Sequence, residues 1–418
     1  MSIRRTALET LTEITDKGAY ANLTLKEALR GLEERDAKWV SAAVYTTLGH
    51  LLYIDHVIAA YTKGSIKPQI RGILRLGVCQ VLYMGVPDSA ACNESVKLAK
   101  EIGKGPLSGF VNGVMRNICR NKDNPPPLPG EPVKRLSIQY SYPEYLVKEY
   151  MSQYGAGFTE AMLSAMSDPG CMTVRAQYPY TSEQLEKALE ERSIGFSRGR
   201  IVEDAFKLEK GFDVTKEPLF TEGRITVQSE SAMLVCRALE PKEGMHILDV
   251  CAAPGGKSAY IASLTQGGAV IDSWELYAHR AELMKRTFKR LGVTANVKVM
   301  DGTVRHPELY GKYDAVLIDA PCSGLGVPGK PDARYAKTDA IIDEIAGIQK
   351  KLLDACADYV KPGGVLIYAT CTISKRENEE QAKAFMEATA KGYEYAIENP
   401  DEAAQILIDG DNTGSLKD

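Results

Sequence analysis

Short apolar runs alternate with amphipathic segments from Ser229 to about Ala390. The runs are "MHILDVCA", "AVIDSWE", "VKVMDG", "YDAVLIDAP" and "GVLIYAT", and helical patterns such as "HRAELMKRTFKRLGV" lie between most of them. Strands that alternate with helices form a parallel, doubly wound sheet, because each crossover returns the chain to the same edge. The sequence therefore predicts an α/β domain over 226–418 that binds its ligands at the carboxyl ends of the strands.

Two further domains are predicted ahead of this one. Apolar residues recur at helical spacing from Arg5 to about Arg120, which predicts an all-helical domain of roughly six helices over 1–125. The run "NKDNPPPLPGEP" is typical of a semi-rigid linker, since proline lacks the N–H donor that a helix needs. The patterns "CMTVRAQ", "SEQLEKALEERSI" and "GRITVQ" predict a small α/β connecting module over 133–225.

Charge is distributed unevenly along the 418 residues. The total is −4, yet residues 1–120 carry 16 lysines and arginines against 11 acids, while the remainder carries 35 against 44. A mildly basic N-terminal domain suits a polyanionic partner, although a solvated helical surface explains the charge equally well. The candidates for phosphate contacts are Arg4, Arg5, Arg71, Arg75 and Arg116.

Several classes of protein are disfavoured by what the chain lacks. No run of about eighteen apolar residues is present to cross a bilayer, and the N-terminus has no unbroken apolar core of a signal peptide, so we expect a cytoplasmic protein without a membrane segment. The nine cysteines contain no C-x-x-C pair and the five histidines are isolated. We therefore expect reduced thiols and no metal site, with Cys79, Cys119, Cys236 and Cys356 serving as small core residues.

The stretch "ILDVCAAPGGKSAYIA" predicts a strand, a glycine turn and the first turn of a helix. It contains neither the dinucleotide fingerprint nor the phosphate loop, so a dinucleotide or ATP is disfavoured. A turn of this kind suits a ligand with a carboxylate and no pyrophosphate, such as the methionine end of S-adenosylmethionine, although a turn built for packing alone stays open. The candidate cofactor-binding residues here are Cys251, Ala252, Ala253, Pro254, Gly255, Gly256 and Lys257.

Acids follow three successive strands after the glycine turn. Glu275 lies about nineteen residues beyond the turn, where an acid accepts hydrogen bonds from ribose hydroxyls, and Asp301 could accept one from an adenine amino group. Asp319 closes the fourth strand. A single acid is as often plain surface charge, but three in succession predict a purine-nucleoside site, and Arg280 is included among its candidate residues.

Several motifs of the sequence resemble those of one known family. "CAAPGGK", "DAPCSG", "ATC" before "ENE" and the run "VQSESAML" resemble the Nop2/Sun-type RNA cytosine-5 methyltransferases. "GAYANL", "ILRLG", "AACNESVKLAK" and "FVNGVMRN" resemble the NusB-like RNA-binding domain of a bacterial branch that methylates 16S rRNA. The resemblance covers nearly the whole chain. It implies an N-terminal NusB-like helical domain, a C-terminal Rossmann-like class I S-adenosylmethionine methyltransferase, and small-subunit rRNA as the partner.

The resemblance also gives two strand-end thiols a common purpose. Carbon 5 of cytosine is too weak a nucleophile to accept a methyl group until a thiolate adds to carbon 6, and the adduct must then lose its C5 proton. The resemblance assigns the attack to Cys371 and the release to Cys322, with Asp319 holding the base edge and the cofactor. Lys257 beside the turn is expected to favour a thiolate electrostatically.

The sequence departs from the family pattern at three places. Ser229 stands where the family usually has aspartate, and "GVPGKPDARY" is a residue shorter and less basic than the usual loop. The end "AAQILIDGDNTGSLKD" replaces the usual closing hairpin, so we expect the last strand pair to be missing.

Alternative functions remain open on the sequence alone. The target could be a tRNA, or the protein could be a non-catalytic RNA-binding assembly factor, and we expect a monomer in each case. A nicotinamide oxidoreductase is disfavoured, because the dinucleotide fingerprint is absent.

Overall fold

The chain forms two compact units. The computed structural model describes residues 2–168, 170–209, 212–328, 331–336 and 338–386. The first unit comprises Met1–Pro169 and Gly324–Thr338, and the second comprises Gly170–Ser323 and Asp339–Asp418. These limits differ from the predicted boundaries near residues 125–133 and 225–226. The helices that follow the proline-rich segment pack with the first unit, and the small sheet packs with the large one.

Ten helices precede residue 169 in the described part of the first unit. They are α1 (Ile3–Lys17), α2 (Ala21–Ala28), α3 (Glu34–Gly49), α4 (Leu51–Ala60), α5 (Pro68–Leu82), α6 (Asp88–Glu101), α7 (Ser108–Arg120), α8 (Pro132–Tyr140), α9 (Glu144–Tyr154) and α10 (Ala156–Ser167). Helices α1–α7 lie in the range 1–125, where the sequence predicted roughly six helices. The additional helix arises because one long apolar stretch divides at His50 into α3 and α4. No helix in the described ranges is long and apolar enough to cross a bilayer.

Helix α5 forms the centre of the helical core. A Cβ atom at its Gly77 would lie 2.6 Å from the hydroxyl of Ser95 and 2.7 Å from the sulfur of Met115, so glycine allows α6 and α7 to pack closely. Arg75 on the same helix is buried and forms two hydrogen bonds of 2.8 and 2.6 Å with the carboxylate of Asp55. The prediction that Arg75 contacts phosphate is therefore wrong, because its guanidinium is committed to this pair.

The second unit begins with a small antiparallel sheet. Its elements are β1 (Thr173–Ala176), α11 (Ser182–Glu191), β2 (Phe196–Arg198), β3 (Phe206–Leu208), α12 (Pro218–Thr221) and β4 (Ile225–Val227). The strand order is β2-β3-β1-β4, and Thr181 begins α11 with a reciprocal capping box to Gln184. This arrangement confirms the small α/β module that the sequence predicted.

The remainder of the second unit is a five-stranded parallel sheet with helices. Its elements are α13 (Glu230–Ala238), β5 (His246–Asp249), α14 (Gly256–Leu264), β6 (Val270–Glu275), α15 (Ala278–Leu291), β7 (Asn296–Val299), β8 (Tyr313–Asp319), α17 (Asp339–Cys356) and β9 (Val360–Ala369), followed by helical residues 379–386. The strand order β7-β6-β5-β8-β9 places the change of direction between β5 and β8. The predicted doubly wound sheet is thereby confirmed, and its ligand crevice is expected at the carboxyl ends of β5 and β8.

The three departures from the family pattern have different outcomes. Ser229 begins α13 and accepts a hydrogen bond from the amide of Ala232 at 3.3 Å, which is the capping role that aspartate also fills. The "GVPGKPDARY" segment belongs to the first unit, where α16 (Ala333–Ala336) lies. There the Arg334 guanidinium lies 3.9 Å from the ring centroid of Tyr142. The predicted loss of the closing hairpin concerns 403–418, which lie outside the described residues.

Candidate active site

Parallel pairing brings the ends of the central strands to one edge of the sheet. Asp249 on β5 pairs with Leu317 on β8, and Asp319 at the end of β8 pairs with Ala369 on β9. Residues that follow these strands are therefore neighbours in space although up to 120 residues separate them in sequence. The segments that follow β5, β8 and β9 carry the predicted glycine turn and both predicted cysteines.

The two strand-end thiols lie in contact. The sulfur atoms of Cys322 and Cys371 are 2.9 Å apart, and the amide of Cys371 donates to the sulfur of Cys322 at 3.3 Å. A disulfide would place the sulfurs about 2.05 Å apart, so these are two thiols. The side chain of Cys371 is exposed and that of Cys322 is half-buried. The pair is therefore accessible from solvent, and Cys371 is its more exposed member.

An ion pair lies at the ends of the central strands. The ammonium of Lys257, in the first turn of α14, lies 2.5 Å from a carboxylate oxygen of Asp319. Burial alone would lower the pKa of Lys257, but the attraction and hydrogen bond of Asp319 outweigh burial and raise it. Lys257 thus stays protonated, and its charge is paired with the Asp319 carboxylate.

The turn between β5 and α14 requires glycine at position 255. Gly255 has a φ of +99°, and a Cβ atom there would lie 2.7 Å from the ring of Phe288, so both conformation and space require glycine. The amide of Ala252 donates to the carbonyl of Trp274 at 2.9 Å, which ties the turn to β6. Helix α14 starts at Gly256, and the first N–H groups of a helix have no acceptor within it.

Glu275 and Arg280 connect the turn to the second strand. Glu275 is only 2% exposed, and its carboxylate lies 3.1 Å from the guanidinium of Arg280. The same guanidinium donates to the carbonyl of Ala253 at 3.0 Å. Arg280 therefore holds the predicted ribose-binding acid against the predicted methionine-binding turn.

Asp301 lies apart from this connected group. Its carboxylate is exposed and accepts hydrogen bonds from the amide and hydroxyl of Thr303 at 2.9 and 2.7 Å. These bonds lower the pKa of Asp301, so the group is a carboxylate with further acceptor capacity. Cys251, next to the turn, has its pKa raised by burial, which keeps its thiol protonated. Pro254 precedes the left-handed Gly255 within the same turn.

Two buried acids at this edge were missed in the sequence. Asp249 is fully buried, accepts a hydrogen bond of 2.6 Å from the hydroxyl of Ser258, and has its pKa raised by burial to about 7. Its other carboxylate oxygen has no hydrogen-bond partner among the described residues. The only sequence signal was its place at the end of an apolar strand. Glu377 is the second such acid, and it lies in the "ENE" run that the resemblance quoted.

The small sheet contributes one buried cation to the turn. Arg175 on β1 is fully buried, and its guanidinium lies 4.6 Å from the ring centroid of Tyr260 on α14. It donates to the side chain of Gln228 at 2.6 Å and approaches the carbonyl of Gly256 at 3.5 Å. Arg175 thus braces the first turn of α14 from the side of the small sheet, a contact that no sequence pattern indicated.

The sequence matches three family models that together span most of the chain. Residues 1–120 match the NusB family, and residues 142–215 match a ferredoxin-like domain of RsmF/B-like methyltransferases. Residues 236–409 match the 16S rRNA methyltransferase RsmB/F family. Each matched range lies inside one of the three domains that the sequence predicted.

Individual proteins agree with these models. A Bacillus subtilis strain 168 protein named probable ribosomal RNA small subunit methyltransferase B is 36% identical over 395 residues, which cover 92% of this chain and 88% of the relative. The crystal structure of PH0851 has a TM-score of 0.74 at 24% identity and covers 93% of this chain and 90% of that one. NSun6 from Pyrococcus horikoshii, solved with SFG, has a TM-score of 0.54 at 22% identity and covers 59% and 88%. At these identities the two structures bear on the fold alone.

The chain belongs to the 16S rRNA methyltransferase RsmB/F family. The resemblance to Nop2/Sun-type methyltransferases is confirmed, and so are the NusB-like domain, the Rossmann-like methyltransferase domain and S-adenosylmethionine as the cofactor. The methylated atom, the covalent mechanism and the roles of individual site residues stay predictions.

Proposed function

We propose that this member of the family transfers a methyl group to C5 of a cytosine in small-subunit rRNA through a covalent bond from Cys371 to C6. The observation that carries the proposal is the contact of two thiols, 2.9 Å apart, at the ends of β8 and β9. A nucleophilic thiol is what an unreactive pyrimidine carbon needs, whereas an amine or hydroxyl acceptor would need only a base. The second thiol, Cys322, can take the C5 proton from the adduct, so that the bond from Cys371 to C6 can break.

The residues around the glycine turn fit S-adenosylmethionine. When bound, this cofactor supplies an electrophilic methyl group on a positively charged sulfur. The first turn of α14 suits its carboxylate, the Glu275 carboxylate beside the turn suits the ribose hydroxyls, and Asp301 has acceptor capacity for an adenine amine. The orphaned oxygen of buried Asp249 also indicates a missing hydrogen-bond donor at this edge.

The thiols and the ion pair carry out the chemistry on the base. The Cys371 sulfur adds to C6, and the electron pair of the C5–C6 double bond becomes available at C5. The Lys257 ammonium favours the thiolate form by charge, while Asp319 accepts a hydrogen bond from the exocyclic amine of cytosine. After methylation Cys322 takes the C5 proton, the double bond re-forms, and the Cys371 thiolate leaves C6.

Bisulfite sequencing of rRNA from cells with and without the gene tests the proposed target. We expect one protected cytosine in the small-subunit RNA that disappears with the gene. Protection in a tRNA instead would indicate the alternative substrate. No difference in any RNA, with the protein bound to ribosome precursors, would indicate an assembly factor and contradict the proposal.

Replacing Glu275 by alanine should weaken S-adenosylmethionine binding. A charge-assisted hydrogen bond contributes about 1.5–3 kcal/mol, so loss of one bond to the ribose should raise the Kd roughly tenfold to a hundredfold. Isothermal titration calorimetry measures the change. Glu282→Ala is the matched control, because Glu282 is an exposed acid on α15 that pairs with Lys285. Equal affinities of the wild type and Glu275→Ala would exclude Glu275 from the cofactor site.

The exposed face of α7 should contribute to RNA binding. Arg116 and Arg120 lie one turn apart on this face, both are exposed, and neither forms an ion pair within the described residues. Replacing both with alanine should weaken binding of an rRNA transcript and reduce the slope of log K against log salt by about 1.4–1.8. Lys122→Ala is the control, because its ammonium already pairs with Asp88 at 2.9 Å. Filter binding at several salt concentrations would contradict this role if the double variant kept the wild-type slope.

The other phosphate candidates are partly engaged within the helical unit. Arg4 forms an ion pair of 3.2 Å with Glu94 and lies over the ring of Trp39, and Arg5 pairs with Glu9 at 2.8 Å. Arg71 donates to a carbonyl at 3.4 Å. Arg116 is therefore the candidate best placed for phosphate contacts.

A further inference from the structure

One carboxylate joins the two segments that carry the thiols. Glu377 is fully buried and accepts hydrogen bonds from both the amide and the hydroxyl of Ser323, at 2.8 and 2.6 Å. It also accepts one from the hydroxyl of Thr372 at 3.3 Å. Ser323 directly follows Cys322, and Thr372 directly follows Cys371. A single side chain thus bonds the residue after each thiol.

The Cys322 segment is held on both sides of the thiol. The side-chain amide of Gln349 on α17 donates to the carbonyl of Pro321 at 2.9 Å and to Glu377 at 3.2 Å. Cys322 therefore lies between a carbonyl fixed by Gln349 and an amide fixed by Glu377. Few backbone rotations are left that could move its sulfur.

The Cys371 segment is held by the same short stretch of chain. The side-chain amide of Asn378 donates to the carbonyl of Thr372 at 2.9 Å, and the hydroxyl of Thr370 bonds the Asn378 side chain. The hydroxyls of Ser323 and Thr372 also lie 2.7 Å apart, so the two segments are in direct contact at the residues that follow the thiols. The carbonyl of Glu377 itself accepts from the hydroxyl of Tyr368 on β9 at 2.7 Å.

We propose that Glu377 is a positioning residue that sets the separation of the Cys322 and Cys371 sulfurs. The inference rests on the proposed function, in which both thiols act on one base. Glu377 is buried together with the hydroxyl groups that it bonds and does not reach the reacting atoms. It acts through the backbone next to each thiol.

Burying a carboxyl group is costly unless hydrogen-bond donors surround it. No lysine or arginine forms a salt bridge with Glu377 in the described part of the chain, and the donors to its carboxyl group there are neutral. Apolar side chains of similar volume usually give equal or greater stability at buried positions. A fully bonded polar network instead specifies one arrangement of the segments that it joins.

Disulfide formation between the two thiols measures their separation without any methyl transfer. Diamide accepts two electrons and two protons from a pair of thiols, becomes a hydrazine, and leaves a disulfide. With the full-length protein and neither RNA nor S-adenosylmethionine present, we expect the wild type to form the Cys322–Cys371 disulfide rapidly. Mass spectrometry of the linked peptides gives the rate. Glu377→Ala should slow it at least tenfold, because the variant lacks the carboxylate that bonds the residue after each thiol.

Two variants separate positioning from general damage. Glu377→Gln keeps the shape, and the hydroxyls of Ser323 and Thr372 can accept from its amide, so its disulfide rate should stay within about threefold of the wild type. Glu380→Ala is the matched control, because Glu380 is an exposed acid three residues along the same segment. In methylation assays, Glu377→Ala should lower kcat about a hundredfold and leave the KM for RNA and the Kd for S-adenosylmethionine within twofold.

The outcomes distinguish this inference from the proposed function. Wild-type disulfide rates and kcat in Glu377→Ala would overturn the positioning role. A slowed disulfide in Glu377→Ala, with a wild type that methylates no cytosine C5, would retain the positioning role and contradict the proposed function. If Glu377→Ala fails to fold, Ser323→Ala carries the test, because it removes the hydroxyl that bonds Glu377 at 2.6 Å and Thr372 at 2.7 Å and keeps the backbone bond to Glu377. A wild-type disulfide rate in Ser323→Ala would then overturn the inference.

Discussion

Replacing Cys371 by alanine should abolish methyl transfer and leave cofactor binding intact. Without this sulfur no bond to C6 forms, and C5 stays too weak a nucleophile to accept a methyl group. Removal of a covalent nucleophile costs on the order of 10⁴–10⁶-fold in kcat in other enzymes. The measurement is incorporation of a labelled methyl group into an rRNA transcript, together with a search for protein–RNA adducts on a denaturing gel. We expect neither product from this variant.

A second cysteine provides the control for this experiment. Cys171 is exposed and lies just before β1 of the small sheet, remote in sequence from both strand-end thiols. Cys171→Ala should therefore methylate RNA at the wild-type rate. A Cys371→Ala variant that kept more than a few per cent of the wild-type rate would contradict a covalent role for Cys371.

The position of both thiols at the end of a strand could be predicted from the sequence. Cys322 and Cys371 are 49 residues apart, yet each follows an apolar run that ends in polar residues. The resemblance gave them a common purpose, whereas only the structure shows that their strands are neighbours that end at the same edge. The register of β8 with β9 then places Asp319 opposite Ala369, and the sulfurs meet three and two residues further on.

Which segments of the chain make up the helical unit could not be predicted from the sequence. Periodicity indicates that a segment is helical, but it does not indicate which other segment covers its apolar face. Residues 132–167 and 324–338 join this unit through contacts such as those of Tyr335, whose hydroxyl donates to the carbonyls of Leu48 and Ser141 at 3.2 and 2.8 Å. Those partners lie 287 and 194 residues away in sequence, beyond the reach of any local pattern.

Buried acids are the residues that sequence reasoning misses most readily. Asp249 and Glu377 look like ordinary polar residues in the sequence, because acids are mostly exposed unless specific donors surround them. The donors to Glu377 come from Ser323 and Gln349, which lie 54 and 28 residues away. The opposite error was made for Arg75, which resembles a surface cation and is in fact buried against Asp55. The role of each of these side chains depends on the residues that it contacts in the folded protein, and the sequence pattern does not indicate which residues those are.

Replacing Cys322 by alanine should trap a covalent complex between the protein and RNA. In this variant the Cys371 sulfur can still add to C6 and C5 can still be methylated. Loss of the C5 proton then slows, because the sulfur that lies 2.9 Å from Cys371 is gone, and the thioether persists. The complex should migrate slowly on a denaturing gel and should require both S-adenosylmethionine and the target cytosine. Turnover should fall by roughly the same factor as adduct breakdown, on the order of a hundredfold or more for loss of a general base.

The two single variants decide which sulfur forms the bond, and the double variant Cys322→Ala/Cys371→Ala tests whether the adduct needs a thiol of this pair at all. It should give no adduct, since the trapped thioether belongs to Cys371. An adduct in Cys371→Ala together with none in Cys322→Ala would exchange the two roles, and the geometry permits this because the sulfurs are in contact. If neither single variant trapped RNA and both methylated it at the wild-type rate, the two-thiol mechanism would be wrong. The hydrogen bonds that Glu377 accepts from Ser323 and Thr372 would then fix the positions of two thiols that take no part in methyl transfer.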